Sequence, residues 1–315
     1  MSTTHQPERD DRLVAAFVGT ALGDALGAPF EGQRNVRVHE IIQTIGNPDP
    51  LRWTDDTHMA IALAESLLAC NGTVEAQHLG DTFAAAYHDQ PWRGYAAGPP
   101  TVFALAADGM PYLEAARSLF GGGSYGNGGA MRAAPAAILA YPDLARATGL
   151  AAAQARVTHA HPIGIDGAVL FAGAIVQAAS APSTSTGSAG ETRLDLTPIL
   201  GYLTTAEMRE RLQRMIGVHD DPHRLTELAG RFGSRVSARE SVPAAVAVFL
   251  ANRDDPIAAI TAAISLGRDT DTVAAMAGAL AGAHQGMAGF PEHLLARLED
   301  RDRIEHLAWQ LARMP

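Results

Sequence analysis

The chain of 315 residues contains one cysteine, Cys70, so an internal disulfide is impossible and no cysteine set for structural zinc exists. Cys70 follows an apolar run and reads as a buried thiol. Aromatic residues make up only 6%, and alternating β-branched runs are scarce, so the usual signature of half-buried strands is missing. Basic residues are outnumbered, 24 Lys+Arg against 34 Asp+Glu, for a formal net charge of −10. That argues against nonspecific nucleic-acid binding, which depends on neutralising phosphates, but leaves room for a small anionic substrate in a local site. The polar N-terminus MSTTHQPERDD has no apolar signal region, and no apolar span of membrane length is expected. The expectation is a cytoplasmic monomer with no membrane partner.

Alanine is abundant, and hydrophobic residues reach 47%. Apolar residues recur at helical spacing: Met59, Leu63 and Leu67; Leu294 and Leu298; Ile304, Leu307 and Leu311. The chain reads as all-α. A disordered tail over residues 1–11 and one domain over 12–315 are expected, with residues 180–191 (SAPSTSTGSAGE) a mobile surface loop inside that domain.

Two acidic clusters open helix-like runs near opposite ends. Thr54-Asp55-Asp56-Thr57 precedes MAIALAESLLAC, and Asp269-Thr270-Asp271-Thr272 precedes VAAMAGALAGA. Each alone could simply cap a helix. Carboxylates and threonine hydroxyls are also the hard oxygen ligands that Mg²⁺, Mn²⁺ or Ca²⁺ prefers, and a fold that joined the clusters would need a cation between them. Gly19, Gly23 and Gly27 fall on one helical face, as do Ala274, Gly278 and Gly282, which predicts close helix packing. Pro29 ends the first of these runs and leaves Glu31 as a further carboxylate.

Residues 121–132, GGGSYGNGGAMR, could expose backbone N–H groups to an anion or form a flexible loop; GxxxxGK[ST] is absent, so this is not a Walker loop. His159 and His161 in THAHP suit hydrogen-bonded structural roles as well as substrate contact. His58 reads as a helix-surface histidine. The His219-Asp220 pair invites comparison with HD-type metal phosphohydrolases, but it lies between Gly217 and Pro222 without a placed partner histidine, and reads as an exposed connector.

Taken in order, GDALGAPFE, WTDDT, GNGGAMR, THAHP and GRDTDTVAAMAGALAGA resemble the ADP-ribosylglycohydrolases, from about residue 13 to the C-terminus. The resemblance implies a single compact multi-helix orthogonal bundle and two Mg²⁺ ions, with Mn²⁺ able to substitute. Thr54, Asp55, Asp56 and Asp271 would hold one ion; Glu31, Asp269, Asp271 and Thr272 would hold or adjoin the other. Glu31 or Asp269 is the implied general base. Gly126, Asn127, Gly128, Gly129 and Met131 would line an ADP-ribose pocket, Tyr125 could stack on adenine, and His159 would contact substrate. Arg268 stands where many members carry a small residue. The implied activity is hydrolysis of the glycosidic bond between ADP-ribose and an acceptor, with arginine the first guess. Serine, nucleic-acid or small-molecule acceptors, and a non-catalytic ADP-ribose-binding protein, are the alternatives.

Overall fold

The computed structural model describes residues 5–181 and 194–314, with side chains from residue 8. Most of the 180–191 segment lies outside the described residues. The first helices are α1 (His5–Gly27), α2 (Val38–Gly46), α3 (Asp55–Ala69), α4 (Ala76–Asp89), α5 (Gly98–Ala107) and α6 (Tyr112–Ser118). A one-turn α7 (Gly128–Met131) leads to α8 (Ala134–Ala140), α9 (Leu144–Arg156) and the long α10 (Pro162–Ser180). Then come α11 (Ala206–Ile216), α12 (Pro222–Phe232), α13 (Ala238–Ala251), α14 (Pro256–Ser265), α15 (Thr270–Gln285), α16 (Glu292–Leu295) and α17 (Arg301–Ala312). Among the described residues there is no strand, only the isolated bridges Leu51–Leu298 and Gly126–Ser237. The fold is all-α.

The organising contact joins α1 and α15. A Cβ on Gly23 would stand 2.1 Å from the Ala274 carbonyl oxygen; on Gly19, 2.2 Å from that of Gly278; on Gly282, 2.1 Å from that of Ala15. These pairs advance on one helix as they retreat on the other, so the helices run antiparallel with backbones touching. Only residues without a side chain permit that approach. The consequence is positional: the C-terminal end of α1 lies beside the N-terminal end of α15.

Both helices are buried nearly all round, and α15 is buried at every position from Thr270 to His284. A helix apolar on every side belongs inside a larger protein. α10 is the second internal helix, packed against α7, α8, α9, α13 and α15. Contrary to expectation, two helical segments, Glu8–Phe30 and Pro162–Ser180, are long and apolar enough to span a membrane by length and composition. Their apolar windows are 89% and 78% buried within the protein, so their hydrophobicity is spent on neighbouring helices. One continuous apolar core reaches from Leu13 to Leu311.

The expected N-terminal tail is shorter than residues 1–11. α1 begins at His5, and Asp10 is buried, accepting hydrogen bonds from Arg9 Nη2 at 3.0 Å and Arg313 Nε at 3.2 Å. Polar composition hid this, because these charged residues pair with one another and with the last helix of the chain.

Candidate metal centre and substrate cleft

Three helix ends converge on one point. The N-terminus of α3 brings Asp55 and Asp56, that of α15 brings Asp269, Asp271 and Thr272, and the end of α1 brings Asp24 and, after a 3-10 turn, Glu31. Carboxylate oxygens of Glu31, Asp269 and Asp271 all lie within 4.8 Å of one another. The two acidic clusters are bridged directly, since the Thr272 hydroxyl donates to Asp56 Oδ2 at 3.3 Å.

Asp24 is the residue that sequence reasoning missed. It is fully buried, and its carboxylate accepts from Thr54 N (3.0 Å), Thr54 Oγ1 (2.8 Å), Thr57 N (3.1 Å) and Thr57 Oγ1 (2.6 Å). It thus caps α3 from another helix, and neither aspartate of the TDDT sequence is consumed by capping. The signal was present in the sequence: an aspartate between Gly23 and Gly27, on a helix whose surroundings offer an isolated charge no water. Thr54 and Thr272 each donate a proton to a carboxylate and so keep oxygen lone pairs for a cation.

The loop carrying Glu31 is tied to the residues before α15 by backbone hydrogen bonds. Gly32 N donates to Arg268 O at 2.6 Å, and Arg268 N donates to Gln33 O at 2.5 Å. Arg268 does this at φ 72°, in the left-handed region that arginine rarely occupies, directly after Gly267 at the same φ. Arg268 therefore acts through its main chain, pinning Glu31 beside the start of α15.

The electrostatics are adverse to the protein alone. At an effective dielectric of 20, two unit charges 4.8 Å apart repel by about 3.5 kcal/mol. Burial, then Asp24 and Asp269, pushes Asp55 up to about 8. Asp56 and Asp271 stand well above the ordinary range, by burial first and then their carboxylate neighbours. Asp269 rises only to about 6, because burial is countered by a hydrogen bond from Asn127. Asp56 Oδ1 and Asp271 Oδ1 are buried and have no hydrogen-bond partner. Carboxyl oxygens left bare in a protein interior, among hydroxyls and further carboxyls, fit a hard divalent cation that would stabilise their ionised form.

The glycine-rich segment approaches the cluster from one side. Tyr125 O accepts from Ala238 N at 3.0 Å and Asn127 N donates to Val236 O at 2.9 Å, so the loop is fixed against the start of α13. Asn127 Nδ2 donates to Asp269 Oδ2 at 2.5 Å and to Ser241 Oγ at 3.0 Å. Tyr125 is 52% exposed, and Gly126 is half-buried. Gly128, Gly129 and Met131 are buried in α7, with Gly129 against Ala155. They shape the loop from beneath, because this single helical turn enters the core.

His159 lies at the floor of the loop. A Cβ on Gly128 would stand 2.6 Å from its Cε1. Its Nδ1 is 2.8 Å from Thr158 Oγ1, which accepts from Arg132 Nη2 at 2.8 Å. The threonine proton is thereby directed to Nδ1, leaving the histidine proton on Nε2. Burial, then the Arg132 charge, lowers His159 to about 3, so the ring is neutral. His161 instead caps α10, its Nδ1 accepting from Ile163 N at 3.1 Å. His58 is not a surface residue: it is buried, 2.9 Å from the Tyr95 hydroxyl through Nδ1 and tilted against Trp53. α3 is buried on most sides, so a polar residue there gives no clue to its face. His219 and Asp220 sit 2.7 Å apart on the α11–α12 connection, on helices that supply none of these carboxylates.

Comparison with known proteins agrees with this geometry. Residues 5–315 match the family model described as ADP-ribosylglycohydrolase. The chain is 34% identical to human ADP-ribosylhydrolase ARH3, covering 96% of this chain and 93% of that protein. It is 28% identical to the ADP-ribosyl-[dinitrogen reductase] glycohydrolase of Rhodospirillum rubrum, covering 93% and 92%. A solved structure titled ADP-ribosylglycohydrolase-related protein complex superposes with a TM-score of 0.75 at 29% identity, over 98% of this chain and 99% of the other. The chain belongs to the ADP-ribosylglycohydrolase family and is a glycosidase-type hydrolase.

Proposed function

We propose that this protein is a Mg²⁺-dependent hydrolase that releases ADP-ribose from an ADP-ribosylated protein or small molecule, with an arginine side chain the first acceptor to test. The observation that carries the metal dependence is the pair of bare buried oxygens, Asp56 Oδ1 and Asp271 Oδ1, within converging carboxylates. Thr54, Asp55, Asp56 and Asp271 would hold one cation. Glu31, Asp269, Asp271 and Thr272 would hold the other, with Asp271 shared. When bound, the cations neutralise the cluster, orient and acidify water, and offer positions to ribose hydroxyls.

The protein's own groups account for the rest. Cleavage at the anomeric carbon develops positive charge, which the carboxylate-rich wall stabilises. Asp269 is the better placed general base of the two candidates: it is buried and oriented by Asn127, whereas Glu31 is exposed. Glu31, exposed at the rim, serves as a ligand and closes the cluster from the solvent side. Neutral His159 donates from Nε2 beside Gly126, and Tyr125 offers a ring to adenine.

The test is to strip the protein with chelator, add back Mg²⁺, Mn²⁺, Ca²⁺ or Zn²⁺ singly, and follow ADP-ribose release from arginine- and serine-linked substrates. Mg²⁺ or Mn²⁺ should restore turnover. Ca²⁺ should occupy the site with little turnover, and Zn²⁺ should bind unproductively, because the ligands are all oxygen and suit octahedral coordination. Full activity with Zn²⁺ alone, or in verified metal-free protein, refutes the assignment.

A further inference from the structure

A cavity of about 880 Å³, lined by Thr54 of the cluster, is walled by Trp53, Trp92, Arg93 and Glu299. Gly94 forms the sill between the two. A Cβ there would stand 3.6 Å from Asp55 Oδ1 and 3.9 Å from Thr54 Cβ, so a group in the cavity reaches the cluster past a residue with no side chain.

The floor is rigidly built. Arg93 donates to Trp53 O (2.8 Å) and, through both terminal nitrogens, to Glu299 Oε2 and Oε1 (2.8 and 2.9 Å). Its guanidinium lies 3.7 Å above the Trp53 ring, whose Nε1 donates to Glu299 O at 3.0 Å. Such bidentate, stacked arginine packing is preorganised. Trp92, which lines the same cavity, is 72% exposed. Tryptophan at the centre of a contact surface commonly dominates its affinity.

We propose that this cavity receives the polypeptide that carries the ADP-ribosyl group, the modified side chain passing over Gly94 and the flanking chain lying on Trp92. The inference rests on the ADP-ribosyl hydrolase reading above and adds the substrate's other half. With the nucleotide on the Tyr125–Asn127 loop, the group on the anomeric carbon must leave on another side, and this cavity is lined by Thr54 and adjoins Asp55 across Gly94. Its volume falls in the range that encloses a sizeable ligand rather than one side chain. Charge selects the class. Arg93 is neutralised by Glu299, and Arg303 approaches Asp300 only at 4.0 Å, which leaves Asp89 and a partly offset Asp300 against Arg52. A phosphodiester acceptor is repelled there, whereas a peptide with a cationic residue beside the modified one is attracted.

The test compares one linkage, whichever the parent protein cleaves, on a peptide with arginine or lysine neighbours, on a peptide with glutamate neighbours, on the free amino acid and, as a nucleic-acid arm, on an ADP-ribosylated oligonucleotide. Trp92→Ala should raise the ratio of peptide KM to free-amino-acid KM about tenfold. Asp89→Asn with Asp300→Asn should remove the preference for cationic neighbours; asparagine tolerates the left-handed conformation of Asp300. Thermal melting of the variants verifies the fold, since all three side chains are exposed. An unchanged KM ratio, equal changes for peptide and free amino acid, or parental preference for the oligonucleotide overturns the proposal. Absence of turnover by the parent on every substrate instead overturns the hydrolase reading, and this inference with it.

Discussion

Replacing Asp56 by asparagine should stabilise the metal-free protein and at the same time abolish its response to cations. Asp56 is 1% exposed, its Oδ1 has no donor, and its ionised form is opposed by burial, then by Asp24, Asp271 and Asp55. A carboxyl whose folded-state pKa is raised favours the fold while protonated. That contribution is complete below the unfolded value and is lost as pH rises to the folded one. For Asp269, raised from 3.8 to about 6, the interval corresponds to about 3 kcal/mol. Asp55 extends the window to about 8. An uncompensated buried charge costs on the order of 3 kcal/mol, so at pH 8 the asparagine variant should exceed the parent by about that much in chelator. With an unfolding entropy of about 2.1 cal/mol/K per residue over 315 residues, this is a rise in Tm of about 5 °C. Calorimetric melts between pH 4 and about 8, with chelator and with Mg²⁺, read both effects. The parent in chelator should lose stability as pH rises through this window and regain it with Mg²⁺. The variant should be flatter with pH and unmoved by Mg²⁺, with ADP-ribose release gone. A variant that melts below the parent in chelator at pH 8, or that Mg²⁺ stabilises as strongly, refutes the argument.

Three further outcomes follow from particular contacts. Gly23→Ala places a Cβ 2.1 Å from the Ala274 carbonyl, forces α1 and α15 apart, and should cost about 3 kcal/mol in urea melts while weakening Mg²⁺ binding; an unchanged midpoint and affinity would contradict the packing account. Gly128→Val drives a side chain into the His159 ring beneath the loop, so KM should rise with a smaller change in kcat, whereas a large fall in kcat at constant KM would assign the loop to chemistry. Asn127→Ala removes the donor that holds Asp269 down, so in metal-free protein the carboxyl should titrate above its parental value of about 6; carbon NMR of labelled aspartate measures it, and a downward shift would be inconsistent.

What the sequence made legible was chemistry concentrated at helix starts and glycines in register. Both TDDT and DTDT, with Glu31, meet in the structure, and the two glycine faces are the ones that meet. Less legible was anything whose partner lies far along the chain. Asp24 looked like one letter of GDALG until Thr54 and Thr57 appeared around it. His58 lay on a helix buried too evenly to show a face. Arg268 offered a charge to explain, yet its main-chain hydrogen bonds matter, and side-chain identity does not predict those. The single helical turn at Gly128–Met131 was not legible either, because glycine-rich composition cannot distinguish a cradle from a tightly packed turn.

The contact between α1 and α15 also determines when the cation site can come into being. Its partners are separated by about 250 residues, so the glycine face of the first helix has nothing to pack on until the last third of the chain has been synthesised. During that interval one of the longest apolar helices in the molecule must be held by provisional contacts, which makes the nascent chain prone to association. Asp24, Asp55 and Asp56 can already meet in that interval, but their repulsion with Asp269 and Asp271 arises only when α15 docks, so a divalent cation present at that moment would act on that step.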